Sequence, residues 1–191
     1  MSATPAGGHV PGAVAPGGRD EVAALVRRLI RDVPDYPQPG VVFKDITPLL
    51  ADGPAFAATV AALAQGNGRI DKVAGIEARG FILAAPVACA LGVGFVPVRK
   101  LGKLPGRTHA QTYQLEYGTA TVEVHVDSLT PGERVLIVDD VLATGGTAAA
   151  TAQLVRRCGA EVAGLSVLIE LGFLSGRASL PGLDVRALLA L

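Results

Sequence analysis

Residues 135–147, VLIVDDVLATGGT, hold the residue types best suited to chemistry: two adjacent carboxylates, then paired glycines flanked by threonines. Four consecutive apolar residues before the acids are what a parallel strand buried on both faces requires, and such sheets place ligands beyond the carboxyl ends of their strands. Adjacent glycines let the backbone approach an anion closely. A helix starting there points free N–H groups and its positive dipole end at that anion, and threonine hydroxyls add donors. Asp139 and Asp140 cannot face the same anion, because like charges repel, but carboxylates accept hydrogen bonds from hydroxyls. A phosphate held by Ala143, Thr144, Gly145, Gly146 and Thr147, with vicinal hydroxyls at the two acids, describes a ribose 5-phosphate site. The chain carries neither GxxxxGK[ST] nor the dinucleotide fingerprint GxGxxG, which disfavours a nucleoside triphosphate loop and a Rossmann site.

Other segments offer further groups. Glu77, Ala78, Arg79 and Gly80 stand at a second strand-to-helix junction, where backbone donors and a guanidinium could meet an anion. Arg99, Lys100 and Lys103 bring three cations to KLGKLPGRT, a glycine-bearing segment without hydrophobic period that reads as a mobile loop. Phe43, between a proline-rich connection and a helix, reads by itself as core packing, and Glu116 as an exposed strand carboxylate. Cys89 and Cys158 lie in apolar, helical contexts and are expected to be small buried hydrophobes. His9, His109 and His125 are too scattered to argue for a metal.

The elements that must position these groups follow from periodicity. Val22, Leu25, Val26, Leu29 and Ile30 recur at helical spacing opposite Arg27, Arg28 and Arg31, with Asp20 as a cap. Residues 32–40 contain three prolines and are expected to be an extended connection. Thr47-Pro48 suggests a short helical turn, and a longer helix is expected from about Pro54 to Ala64. KVAGI reads as a buried strand, EARG as a loop, FILAAPVACAL as a helix interrupted near Pro86, and GFVPVR as a strand. Val122, Val124 and Val126 alternate with Glu123 and His125, which predicts a two-stranded antiparallel excursion with one wet face. A helix over 147–157, a strand over 161–169 and a short strand near 184–188 complete an α/β pattern around a largely parallel sheet.

The chain has 191 residues, half of them apolar, and a formal net charge of zero. That length suits a single domain, expected over residues 19–191, with residues 1–18 a disordered tail rich in Pro and Gly. Neutrality gives nucleic acid or an anionic membrane no whole-molecule attraction, and no apolar run approaches the roughly 20 residues that cross a bilayer. A cytoplasmic location is expected.

VLIVDDVLATGGT closely resembles the signature of the type I phosphoribosyltransferases. PGVVFKDITPLL, GIEARGF, VPVRKLGKLPG and YQLEYG follow with the order and spacing of the adenine-using members, so the likeness covers the chain from its first helix onward. The resemblance implies a central, mainly parallel sheet flanked by helices, a mobile loop, an antiparallel excursion and a small hood made from the N-terminal and C-terminal segments. It implies transfer of the phosphoribosyl group from phosphoribosyl pyrophosphate to N9 of adenine, giving AMP and pyrophosphate, with Mg²⁺ held mainly by substrate. A homodimer is implied too. Residue by residue, Asp139 and Asp140 would take the ribose hydroxyls and residues 143–147 the 5-phosphate. Glu77, Ala78, Arg79, Arg99, Lys100 and Lys103 would serve pyrophosphate, with Arg99 able to serve the partner subunit's site. Phe43 would stack on one face of adenine and Leu171 would cover the other, the backbone of Val42 and Lys44 would read the 6-amino edge, and Glu116 would stand near N7 and N9, with Arg79 and Lys103 as the other catalytic groups. The alternatives are a transferase for another base or a regulator of the same fold that senses the donor.

Overall fold

The computed structural model describes residues 18–114 and 118–191. Helix α1 (Arg19–Leu29) is amphipathic as its spacing requires, burying Val22 and Val26. It starts one residue before the expected cap: Gly18 occupies the capping position without a side-chain bond, and Asp20 and Glu21 favour the first turn through their charge. Strands β1 (Arg31–Pro34) and β2 (Val42–Asp45) form a separate antiparallel hairpin, in which Val33 stands opposite Phe43. Helix α2 (Thr47–Ala51) follows, then α3 (Gly53–Ala64), where the Asp52 carboxylate accepts the Ala55 N–H at 3.0 Å.

The main sheet is built from β3 (Lys72–Ile76), β4 (Gly94–Lys100), β5 (Thr108–Gln114), β6 (Thr119–His125), β7 (Arg134–Leu142), β8 (Glu161–Glu170) and β9 (Val185–Ala190). Its order is β5-β6-β4-β3-β7-β8-β9, parallel from β4 to β9 and antiparallel where β6 joins β4 and β5. Helix α4 (Arg79–Leu91) connects β3 to β4, and α5 (Gly146–Arg157) connects β7 to β8. The fold is the expected one: α/β, with helices on both faces of a mostly parallel sheet. One apolar core lies beneath α1, α3 and α4, and a second beneath α5. Between them, Val135, Leu136, Ile137 and Val138 of β7 are completely buried.

Several local expectations change. Helix α4 begins at Arg79, so half of EARG is helical, and it continues through Pro86 without interruption. The missing proline N–H is tolerated because Leu83, Ala84, Val87 and Ala88 hold both sides of the helix in the core. Cys89 is exposed on this helix rather than buried, and Cys158 is half-buried. The β5–β6 hairpin has no wet face at Glu123, which is 3% exposed. Residues 1–17, the expected tail, lie outside the described residues, and so does Glu116.

Candidate active site

Strand β3 pairs with β7 only as far as Gly75 opposite Val138, whereas β8 follows β7 to Leu142. Beyond Val138, then, β7 has a neighbour on one side and a gap on the other. The acids stand at this gap, inside a strand that runs four residues past the apolar run rather than at its end. The first turn of α4 fills part of the opening: a Cβ on Gly80 would lie 2.6 Å from Asp139 Oδ1, so a larger residue would have to displace that carboxylate. Asp139 is half-buried and Asp140 is 6% exposed. Burial pushes both carboxyls above the usual range, and the charge of Asp140 adds to the effect at Asp139. Arg79 opposes it at Asp140, with Nε 2.7 Å from Oδ2. That oxygen is buried without an aligned hydrogen bond, so the ion pair with Arg79 is what compensates it.

Residues 143–147 cross from β7 to α5 around a cavity of about 80 Å³ that Asp139 also lines. Gly145 adopts φ +84°, a left-handed conformation that lets the chain double back, and its Cβ position is blocked by the Gly176 carbonyl. Helix α5 has no side-chain cap and no acid in its first turn, so its N–H groups face the cavity without a competing acceptor. Ser179 Oγ holds the Thr144 carbonyl at 2.9 Å, backing the loop from behind. The Thr147 hydroxyl donates to Tyr113 Oη at 2.9 Å. Tyr113 is a site residue that sequence reasoning passed over, although it stands in the TYQLEYG segment.

Arg79 joins this region to the hairpin. Its guanidinium lies 4.7 Å from the centroid of the Phe43 ring, and Nη1 reaches the Lys44 carbonyl at 3.5 Å. Phe43 is therefore a platform beside the acids rather than part of either core. Tyr36 meets its edge, with ring centroids 5.2 Å apart. The hairpin is tied by ion pairs, Arg31 to Asp45 at 2.6 Å and Lys44 to Asp32 at 2.7 Å. Arg31 and the Thr47 N–H lower the Asp45 carboxyl to about 2. Val42 is exposed, and Leu171 packs on the core beneath α1 and α3, its N–H bonded to the Leu142 carbonyl at 2.9 Å.

The cations gather at the ends of β3 and β4. Glu77 accepts the Lys100 N–H at 2.8 Å and Arg99 Nη2 at 3.4 Å. Burial acts to raise its carboxyl, but these donors and the nearby cations hold it below the usual range. Ala78 precedes α4, and its carbonyl accepts the Phe81 N–H. The Arg99 side chain turns to its own chain, donating to the Lys103 carbonyl at 3.0 Å. The site thus offers uncapped N–H donors for one phosphate, acids for hydroxyls, a cation-lined junction and an aromatic platform. Among the described residues no cluster of three or more His, Cys, Asp or Glu forms a metal centre.

This combination matches known proteins along nearly its whole length. The phosphoribosyl transferase domain model matches residues 49–178. Adenine phosphoribosyltransferase of Streptomyces coelicolor is 64% identical over 174 residues, covering 88% of this chain and 96% of that protein. Its counterpart from Thermobifida fusca is 62% identical, with 88% and 97% covered. Among solved structures, adenine phosphoribosyltransferase of Rhodothermus marinus superposes with a TM-score of 0.86 at 51% identity, covering 90% of this chain and 99% of that one. The Saccharomyces cerevisiae enzyme, solved with an imino-altritol bisphosphate and adenine, gives 0.82 at 36% identity, with 88% and 99% covered. Fold, junction geometry and sequence agree, and the chain belongs to the phosphoribosyl transferase family, among its adenine phosphoribosyltransferases.

Proposed function

We propose that the chain transfers the 5-phosphoribosyl group of phosphoribosyl pyrophosphate to N9 of adenine, releasing AMP and pyrophosphate. It is an enzyme of purine salvage, a pentosyltransferase. The observation that carries the reading is the position of Arg79, which touches the Phe43 ring and the Asp140 carboxylate at once. A base platform and a ribose-hydroxyl site thereby belong to one centre.

In this reading the uncapped start of α5 and residues 143–147 hold the 5-phosphate, while Asp139 and Asp140 accept the ribose hydroxyls. Hydroxyl donors give the crowded carboxylates the bonds that burial denies them. Glu77, Ala78, Arg79, Arg99, Lys100 and Lys103 surround the leaving pyrophosphate, Glu77 by holding Arg99 and Lys100 in place. Arg79 must leave the Phe43 face when adenine stacks there, and the anionic donor supplies a better partner for it. Val42 and Lys44 read the base edge, Leu171 bounds the opposite side, and Glu116, by resemblance, serves N7 and N9. As N9 bonds to C1, the bond from C1 to the pyrophosphate oxygen breaks, the base gives up its imidazole N–H proton, and positive charge develops on the ribose in the transition state. Fixed charges and orientation stabilise that state without a protein nucleophile.

Mg²⁺ bound with the donor would supply charge neutralisation for the leaving pyrophosphate. Asp139, which lines the cavity, suits a cation held mainly through substrate oxygens. The exposed apolar face of α4 and β4, with Ile82 at 43% and Phe95 at 37% exposure, supports a homodimer formed there. Unpaired cysteines and the absence, among the described residues, of a helix able to cross a membrane support a cytoplasmic enzyme. The test is a screen of adenine, hypoxanthine, guanine and orotate with the donor and Mg²⁺. Adenine alone should be converted, and conversion of another base with adenine untouched would falsify the assignment.

A further inference from the structure

Glu123 is 3% exposed, and its place on the β5–β6 hairpin had suggested a solvated carboxylate. Its partners all come from one segment, the connection between β4 and β5 and the first residue of β5. Oε1 accepts the N–H groups of Lys103 and Leu104, each at 3.0 Å, and Oε2 accepts the Thr108 hydroxyl at 3.0 Å. Burial acts to raise the carboxyl, yet these donors hold it below its usual range.

The cross-strand register explains why Lys103 is singled out. Arg99 of β4 and Glu123 of β6 are Cα partners, and side chains of such pairs project from the same face of a sheet. Arg99 Nη1 donates to the Lys103 carbonyl at 3.0 Å, while the Lys103 N–H donates to Glu123 at 3.0 Å and, less closely, to the Lys100 carbonyl at 3.2 Å. One residue of the loop is thus gripped at both of its backbone groups by an oppositely charged pair. Glu77 in turn accepts from Arg99. Further stitches run from Leu101 N–H to the Thr121 carbonyl at 3.0 Å and between His125 Nε2 and the Pro105 carbonyl at 2.7 Å.

We propose that Glu123 is the positioning residue of the donor site, latching the backbone of Lys103 and Leu104 so that the Lys103 ammonium is presented at a fixed place. The latch rests on the reading above, in which the loop serves pyrophosphate. The docked loop satisfies the buried carboxylate with three donors, and a loop displaced from Glu123 would give up all three.

The experiment compares wild type, Glu123→Ala, Glu123→Gln and Thr108→Val by hydrogen exchange at the Lys103 and Leu104 amides and by steady-state kinetics. Glu123→Ala should lose protection at these two amides while the β3 and β7 amides keep theirs. Its KM for phosphoribosyl pyrophosphate should rise about tenfold or more, with the KM for adenine unchanged, as expected for the loss of two charged hydrogen bonds. Glu123→Gln, whose carbonyl oxygen can accept both N–H groups, should stay within about threefold of wild type. Thr108→Val, which keeps both amide bonds, covers the case in which Glu123→Ala fails to fold. It should raise the donor KM by about two- to fivefold, the effect of one hydrogen bond. Unchanged protection in Glu123→Ala, lost protection with an unchanged donor KM, or a Glu123→Gln protein as impaired as Glu123→Ala each overturns the proposal, as does an unaltered Thr108→Val if the alanine variant does not fold. A wild-type protein inactive toward adenine would remove the functional reading, while the exchange data would still report on the latch.

Discussion

At the phosphate end of the site, the working groups are backbone N–H donors and carboxylates carried by a strand whose preceding four residues are wholly buried. At the base end, Phe43 stands on a two-stranded hairpin beside Tyr36, Val41 and Val42, all exposed. The first region is aimed by the core: β8 on one side of β7, the first turn of α4 against Asp139, and Ser179 behind Thr144. The second is aimed by two surface ion pairs and by Arg79, interactions worth far less than core packing. An anion of constant shape can be met by a rigid cradle. A flat base that must enter and leave is better met by a platform whose supports adjust.

The largest test of this contrast removes the acids. Asp139→Asn with Asp140→Asn should lower kcat/KM about 100-fold, two charged hydrogen bonds at about 1.5 kcal/mol each. The same change should raise the melting temperature of the ligand-free protein, because both native carboxyls are pushed upward and their ionisation opposes folding. For raised carboxyls that cost is absent below about pH 4, grows as pH rises from there to the elevated folded values, and is constant above them. The stability gap between variant and wild type should therefore open from about pH 4 upward. A variant that melts lower than wild type at pH 8 would show that the core does not place this pair at electrostatic cost.

Next in size is Phe43→Ala. Base-aromatic stacking is worth about 1–3 kcal/mol, so the KM for adenine should rise about tenfold or more while that for the donor stays within twofold. Melting should barely change, since the ring belongs to neither core. Equal losses for both substrates would mean that the two regions are not separable. The smallest expected effect is that of Tyr113→Phe, which removes the partner of the Thr147 hydroxyl. A loss of about 1 kcal/mol, or fivefold, in donor binding is expected, with adenine unaffected. No change would assign the 5-phosphate to backbone donors alone.

Legibility followed the same division. The phosphate end could be read because its parts are contiguous: an apolar run, two acids, two glycines and a helix, all within residues 135–157. Phe43 could not be told from a core residue by its neighbours, and only the likeness to known enzymes drew attention to it. Alternation with Val122 and Val124 marked Glu123 as solvated, since periodicity reports which face a side chain takes and not what covers that face. The covering loop is the connection from β4 to β5, which must pass β6 because β6 lies between those strands in the sheet.

What the sequence by itself determined is the order of strands and helices and the ribose-phosphate junction on β7, because hydrophobic period and local turn chemistry act over a few residues. The tertiary structure alone decided three further matters: the reach of Arg79 between Phe43 and Asp140, the elevation of the acid pair, and the grip of Arg99 and Glu123 on Lys103. Each depends on burial and on side chains brought together across the sheet from distant positions, and such proximity leaves no local pattern in the chain.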